Sequence, residues 1–375
     1  MMICNVRFPG RNSLGWLLGF MVLGLAACME VQVNDLTQRA GREIVFPPPP
    51  DEPRFVYERM IRGTADVEPD VASEALKRLL TGDQTQTSIG MKKPYGVAVH
   101  KGRIFVSDTA IREIKVFDVP ERRAFTFGQG DEDASNRISK AIGISVDSSG
   151  DLYVADASAK NIKVYNRDGQ FLRKFGGGLF DRLASLKVDK KGERVYAVDI
   201  GGVSSENHRV RVFNAQTGEH LFDFGKRGGG SGEFNLPRDV AIGKDKLYVV
   251  DGGNFRIQVF DMKGNFLKTF GEIGKQMGDF GRPKEADTDS DGNLYVIDAA
   301  FGNFQIFDPE GHLLMYIGER SEQNGPARYG LPSGITIDED GRIYVVDQLF
   351  KKLDIFRPYK LGAGDGYLGR KAAAK

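Results

Sequence analysis

One short pattern limits what this chain can fold into. An aromatic residue, two small or β-branched residues and an aspartate recur as FVSD, YVAD, YAVD, YVVD, YVID and YVVD. The copies end at Asp108, Asp156, Asp199, Asp251, Asp298 and Asp347, at intervals of 48, 43, 52, 47 and 49 residues. A second apolar stretch follows each copy (IKVFD, IKVYN, VRVFN, IQVFD, FQIFD, LDIFR), and another precedes it (YGVAV, IGISV, ASLKV, RDVAI, KEADT, SGITI). The first five units add a fourth stretch ending in Phe-Gly or Ile-Gly. Alternating apolar residues bounded by turn residues predict strands, so each unit is four short strands. Four strands cannot bury both faces alone. Neighbouring units must stack, and radial stacking closes a β-propeller. No unit carries a helical period, which excludes helical solenoids.

The sixth unit lacks its fourth strand, because the chain after Phe356 loses its apolar alternation. A matching segment stands at the other end. Residues 54–63, RFVYERMIRG, align with the fourth strands of the other units. The N-terminal strand is therefore predicted to complete blade six and leave no open sheet edge. The expected fold is all-β: a six-bladed propeller of four-stranded antiparallel blades over residues 53–360, followed by a flexible tail at 361–375. Glycine supplies 47 of 375 residues. Many fall at fixed turn positions, such as Gly150, Gly192 and Gly292, where hairpins need positive φ.

These strand cores, with the turn Asp251-Gly252-Gly253-Asn254-Phe255-Arg256, resemble the NHL-repeat family of six-bladed propellers. The resemblance covers residues 91–359 and the closing strand. Blade four matches best, and blade three departs through an insert from Ile200 to Arg209. WD and kelch propellers lean on tryptophan, and the single Trp16 lies in a segment expected to be removed. The resemblance implies two kinds of function. Some six-bladed relatives are enzymes, amidating lyases and lactonases among them, with metals held by His or carboxylates at the channel. Others are binding modules.

Residues 1–27 read as a secretory signal. Arg7 and Arg11 precede an apolar run of 13 residues, Ser13 to Leu25, that is short for a membrane span. The run ends in Leu25-Ala26-Ala27-Cys28, which resembles the lipobox of bacterial lipoproteins. That resemblance implies cleavage before Cys28, lipidation of Cys28, and an extracytoplasmic protein anchored to a membrane. Met29 in place of Asp implies the outer membrane in a host with two. Cleavage removes Cys4, so no free thiol remains for a disulfide, a Cys–metal site or a Cys nucleophile. It also takes the formal net charge from +1 to −1. That balance argues against a nucleic-acid partner, which selects a basic excess. Residues 28–52, with four consecutive prolines at 47–50, read as a stiff tether.

The six repeat aspartates are scaffold, because a residue present in every blade fixes turns by accepting amide hydrogen bonds. Function belongs where blades differ. At the starts of the inner strands most residues are small or uncharged, and Lys187, Arg238, Asp239, Lys284, Glu285 and Asp287 depart from that pattern. One reading is a polar ligand site at the channel mouth, with Asp239, Glu285 and Asp287 suited to a hard cation such as Ca²⁺. The other is a set of ion pairs that tie blades together, Lys187 with Asp287 and Arg238 with Glu285. Loops on the same face present Arg112, Lys160, His208, Arg209, Phe255, Arg256, Phe301, Phe350, Lys351 and Lys352, a rim suited to a protein contact or to plain solvation. Residues 70–82 predict one short helix, placed either over the mouth or against a blade. The four histidines are poorly spaced for a His₃ zinc site. The favoured function is a monomeric, membrane-anchored module that binds a protein partner. The alternative is a metal-dependent, lactonase-like hydrolase or lyase using the channel carboxylates.

Overall fold

The structure, a computed structural model, describes residues 43–68, 88–130, 133–202 and 204–369. Cys28, the signal segment, the predicted helix at 70–82 and the last six residues lie outside this set. Five four-stranded antiparallel sheets follow in chain order, from Pro94–His100 through Arg123–Phe127 in blade one to Pro283–Thr288 through Leu313–Ile317 in blade five. The outer strands of most blades alternate in exposure, whereas the inner three are largely buried on both faces. The apolar residues of both faces pack between adjacent blades, in six separate cores.

Blade six closes the ring. Its inner three strands are Pro332–Ile337, Ile343–Asp347 and Lys352–Pro358, and its fourth is Phe55–Ile61 from the N-terminal part of the chain. Phe55 pairs with Pro358 and Ile61 with Leu353. The rings of Tyr57 and Phe356 meet edge-on at 5.5 Å across this junction.

Both ends of the expected domain run further than the sequence suggested. Val45–Phe46, expected in the tether, forms a fifth strand on Phe55–Ile61, and Phe46 packs against Phe356 at 5.7 Å. Residues 361–369, expected to trail as a tail, fold back instead. Leu368 joins the apolar cluster containing Val99 and Tyr344, and the Tyr367 amide donates to Asp340 at 2.6 Å. A single buried leucine anchors this turn, too weak a signal to stand out as periodicity.

The repeat aspartates are all fully buried. Each carboxylate clamps the backbone that leads into its own blade. Ser139 and Lys140 amides donate to Asp156 at 2.7 and 2.9 Å, and Asp181 and Arg182 amides donate to Asp199 at 3.1 and 2.8 Å. Equivalent amides reach Asp108, Asp251, Asp298 and Asp347. Several also hold the turn that follows them, as the Ala159 amide shows at 3.1 Å from Asp156. The start of every inner strand, and hence the channel mouth, is set by these bonds. Between blades, each connection drives one apolar side chain into the seam: Ile138, Phe180, Phe234, Phe280 and Tyr329, all buried.

Candidate functional site at the channel mouth

The inner strands approach so closely that three positions admit only glycine, and a Cβ on Gly96 would lie 2.6 Å from the Ile142 carbonyl. A Cβ on Gly143 would lie 2.4 Å from the Ser185 hydroxyl, and one on Gly334 would lie 2.4 Å from the Tyr95 carbonyl. The equivalent places in the other blades hold Gly96, Ser185, Asp239 and Glu285, so this ring is glycine on one side and polar on the other.

The polar side is knitted from blade to blade. Ser185 donates to Asp239 at 2.7 Å, and Asp239 also accepts from the Ala286 amide at 2.9 Å. One layer deeper, Lys187 pairs with Asp287 at 3.2 Å. Asp287 accepts in turn from the Thr336 hydroxyl at 2.7 Å and the Ile337 amide at 3.1 Å. Blades three to six are thus linked through one buried network, which matches the ion-pair reading for Lys187 and Asp287. Arg238 does not pair with Glu285. It is displaced towards the mouth, where its chain lies against Gly252, while Glu285 sits in the ring below with Oε1 unpartnered.

Charge in this network is set by burial first. Burial pushes the Asp239 carboxyl up to about 6, against the pull of Lys187 and the Ala286 amide. Burial also raises Glu285 well above its ordinary range, and the neighbouring Asp239 adds to the shift. Burial alone would lower Lys187, but Asp287, Asp239 and Glu285 together hold it above its usual value. Lys284 falls to about 8 through burial and the nearby Arg282. Tyr95 rises to about 12 through burial and the carboxylate of Glu285.

Asp239 has a consequence for stability. Its folded pKa lies above its unfolded value, so its contribution is complete below about 4 and is lost as pH rises through about 6. The stability difference between wild type and Asp239→Asn should therefore shift in favour of the variant between pH 4 and pH 7, by on the order of 2 kcal/mol. Urea titrations at both pH values measure it. A difference that does not change with pH would contradict the assignment.

Among the described residues, no three His, Cys, Asp or Glu side chains are grouped closely enough to hold a metal ion. Asp239 and Asp287 are already engaged by neighbouring blades. His208 is buried beneath the mouth, with Nδ1 3.2 Å from the Phe234 carbonyl. His100 pairs with Glu339 at 3.0 Å.

The rim is smaller than the sequence suggested. Arg112, Lys160 and Lys351 are exposed, each at a positive-φ turn position. Arg256 turns inward, with Nε 2.9 Å from the buried Asp251, and Arg209 pairs with Asp223 at 3.0 Å. Lys352 is fully buried on Asp354 at 2.6 Å. Phe255, Phe301 and Phe350 are half-buried, so they present edges rather than an apolar platform.

A set of cations that sequence reasoning missed stands above the channel. Lys93, Lys140, Arg182 and Arg282 occupy equivalent places in four blades, each with its amide held by that blade's repeat aspartate. All four side chains are exposed. The signal was a basic residue 15 to 17 positions before the repeat aspartate, just ahead of the aligned inner strands.

The model of the NHL repeat family matches residues 234–260, in blade four. The chain is 35% identical over 136 residues to Protein brain tumor of Drosophila melanogaster, covering 36% of this chain and 12% of that one. It is 32% identical over 113 residues to a probable peptidyl-alpha-hydroxyglycine alpha-amidating lyase of Caenorhabditis elegans, covering 29% of this chain and 31% of that one. The chain thus spans well under half the length of these relatives. Among solved structures, a gluconolactonase of Xanthomonas campestris superposes with a TM-score of 0.53 at 15% identity, covering 80% of this chain and 98% of that one. A virginiamycin B lyase of Staphylococcus aureus superposes with a TM-score of 0.52 at 12% identity, covering 80% and 98%. At such identities these likenesses speak for the fold alone. With six four-stranded blades, a ring closed by the N-terminal strand and the match in blade four, the chain is a six-bladed β-propeller that carries an NHL repeat in blade four.

Proposed function

We propose that this propeller is a rigid binding module, held at a membrane through lipidated Cys28, whose mouth face engages a protein partner. The observation that carries this reading is the division of labour around the channel. Asp239, Asp287 and Lys187 are spent on joining blades, while the face above them presents exposed, unneutralised side chains on a backbone fixed by buried aspartates. A surface of this kind recognises by position and charge. The second reading, a metal-dependent hydrolase or lyase, draws support from the amidating-lyase relative. It needs Asp239 and Asp287 to leave the bonds they make to neighbouring blades.

Chemical cross-linking of the full-length, membrane-anchored protein tests the first reading. Partner cross-links should concentrate on Lys93, Lys140, Lys160 and Lys351 of the mouth face. Lys190, Lys191 and Lys263, which are exposed in turns at the opposite end of the blades, should give none. Cross-links confined to that opposite end would overturn the proposal. Stoichiometric metal in the purified protein, lost in Asp239→Ala, would favour the second reading.

A further inference from the structure

The cations at the mouth form a site. Lys93, Lys140, Arg182 and Arg282 stand at equivalent places just ahead of their inner strands, and Arg238 and Lys284, at the starts of two such strands, lie near enough to Arg282 to feel its charge. Among the described residues none of the six takes part in an ion pair. The one side-chain bond that any of them makes runs from Lys284 Nζ to the Pro332 carbonyl at 3.0 Å. These six cations outnumber the carboxylates that face them, Glu285 and Asp239 below and Asp347 near Lys284, and a bound anion would ease their mutual repulsion. Burial and then the nearby Arg182 and Arg282 lower Arg238, and burial and Arg282 lower Lys284 against the pull of Glu285 and Asp347.

A second, independent feature points the same way. Glu285 lies in the channel ring directly below this opening, is only 8% exposed, and leaves Oε1 without a partner. Burial raises this carboxyl and so favours its protonated form, which has one O–H to donate. A carboxylate entering from above meets a lysine at the wall and that donor at the floor. Bulkier anions fit the arrangement less well. The carboxylate of Asp239 lies on the same level as the floor and opposes a doubly charged phosphate.

We infer that the channel mouth binds a carboxylate presented by an acidic peptide segment, with Lys93, Lys140, Arg182, Arg238 and Arg282 around it and Lys284 and Glu285 beneath it. The inference rests on the protein-binding reading and names the chemistry of the partner.

Fluorescence anisotropy with a labelled hexaglutamate peptide and the full chain tests it, at about 150 mM salt, where surface attraction beyond about 8 Å is screened. The variant Arg182→Gln/Arg282→Gln removes two charges from exposed side chains and leaves the aspartate-bound amides in place. Binding should weaken about tenfold or more, equivalent to about 1.4 kcal/mol. Lys190→Gln/Lys191→Gln changes net charge equally at the opposite end of the blades and should change affinity less than about twofold. Equal losses in the two variants, or no binding by wild type, would overturn the inference. So would tighter binding of an oligouridylate of matched charge, which would mark the site as one for nucleic acid. Inorganic phosphate should compete only weakly, and strong competition would assign the site to phosphate. If partner cross-links persist in Arg182→Gln/Arg282→Gln, the binding-module reading stands and this one fails.

Discussion

Asp156→Ala should lower the stability of the propeller by about 3–5 kcal/mol, the range for breaking a buried ion pair from one side. Asp156 is fully buried and lies 2.8 Å from Lys163 Nζ, whose side chain is 1% exposed. The carboxylate also accepts from the Ser139, Lys140 and Ala159 amides. Removing it leaves the buried ammonium with the Arg137 carbonyl but no counter-charge, and three amides without their acceptor. Burial works against ionisation here, but Lys163 and the surrounding amides still hold the carboxyl below its ordinary range. That part of the stability is present above about pH 4 and is lost on acidification through the folded pKa. Blade five supplies an internal control. Gln305 stands where blade two has Lys163, and its side chain donates to the Asp279 carbonyl at 2.8 Å. Asp298→Ala therefore strands amides without a charge and should cost less than Asp156→Ala. Adding Lys163→Met to Asp156→Ala should recover part of the loss. Urea unfolding midpoints of the four proteins settle the order, and equal costs for the two single variants would refute the charge argument.

Glu58→Ala is the second large effect, and it acts on ring closure. Glu58 belongs to the strand Phe55–Ile61, at the register shift between Tyr57 and Arg59. Its carboxylate lies 2.7 Å from Arg342 Nε, and the Arg342 side chain is completely buried. Arg342 also holds Asp340 at 3.0 Å and the Asp365 carbonyl at 2.8 Å. This guanidinium thus fastens the N-terminal strand, the sixth blade and the C-terminal turn at one point. Without Glu58, Asp340 compensates part of the charge, so a cost near 3 kcal/mol is expected. The loss should be local as well as global. Amide hydrogen exchange should accelerate in residues 55–61 and 352–358 before it does in blades two to five. Uniform acceleration in all blades would show that the strand is not a separable latch. Glu58→Gln, which keeps an acceptor for Arg342, should lose less.

Blade number, strand order and closure were legible because each rests on a repeated pattern. Aromatic and β-branched residues at period two mark strands, and six copies at near-equal spacing admit one ring. The segment RFVYERMIRG could be placed because its absence from blade six left one gap. Other features have no such redundancy. The docking of 361–369 has Leu368 as its one apolar signal, and its bonds to Asp340 and Arg342 run through backbone groups that carry no sequence pattern. The burial of Lys163 and Lys352 was hidden because alternation assigns a residue to one face of a sheet, and in a propeller both faces are covered by neighbouring blades. The pairing of Lys187 with Asp287 could be read, since two charges at places of small residues need each other. The cations at 93, 140, 182 and 282 were passed over because the inner strands were aligned from the next residues inward. Their common place emerges only when each amide is seen on its aspartate.

The shared blade also fixes an order of events during synthesis. Tyr57 and Asp354, joined by a hydrogen bond of 3.1 Å, stand 297 residues apart in sequence. A growing polypeptide must hold the strand Phe55–Ile61 without its blade-six neighbour until Lys352–Pro358 has been made. Five blades can assemble from neighbours in sequence, but the sixth waits for the strand Lys352–Pro358. Contacts of such long separation are slow to form, because the loop they close is lost as entropy before they return anything. Until then the molecule is an open arc with an exposed strand at one end, and any truncated product remains so.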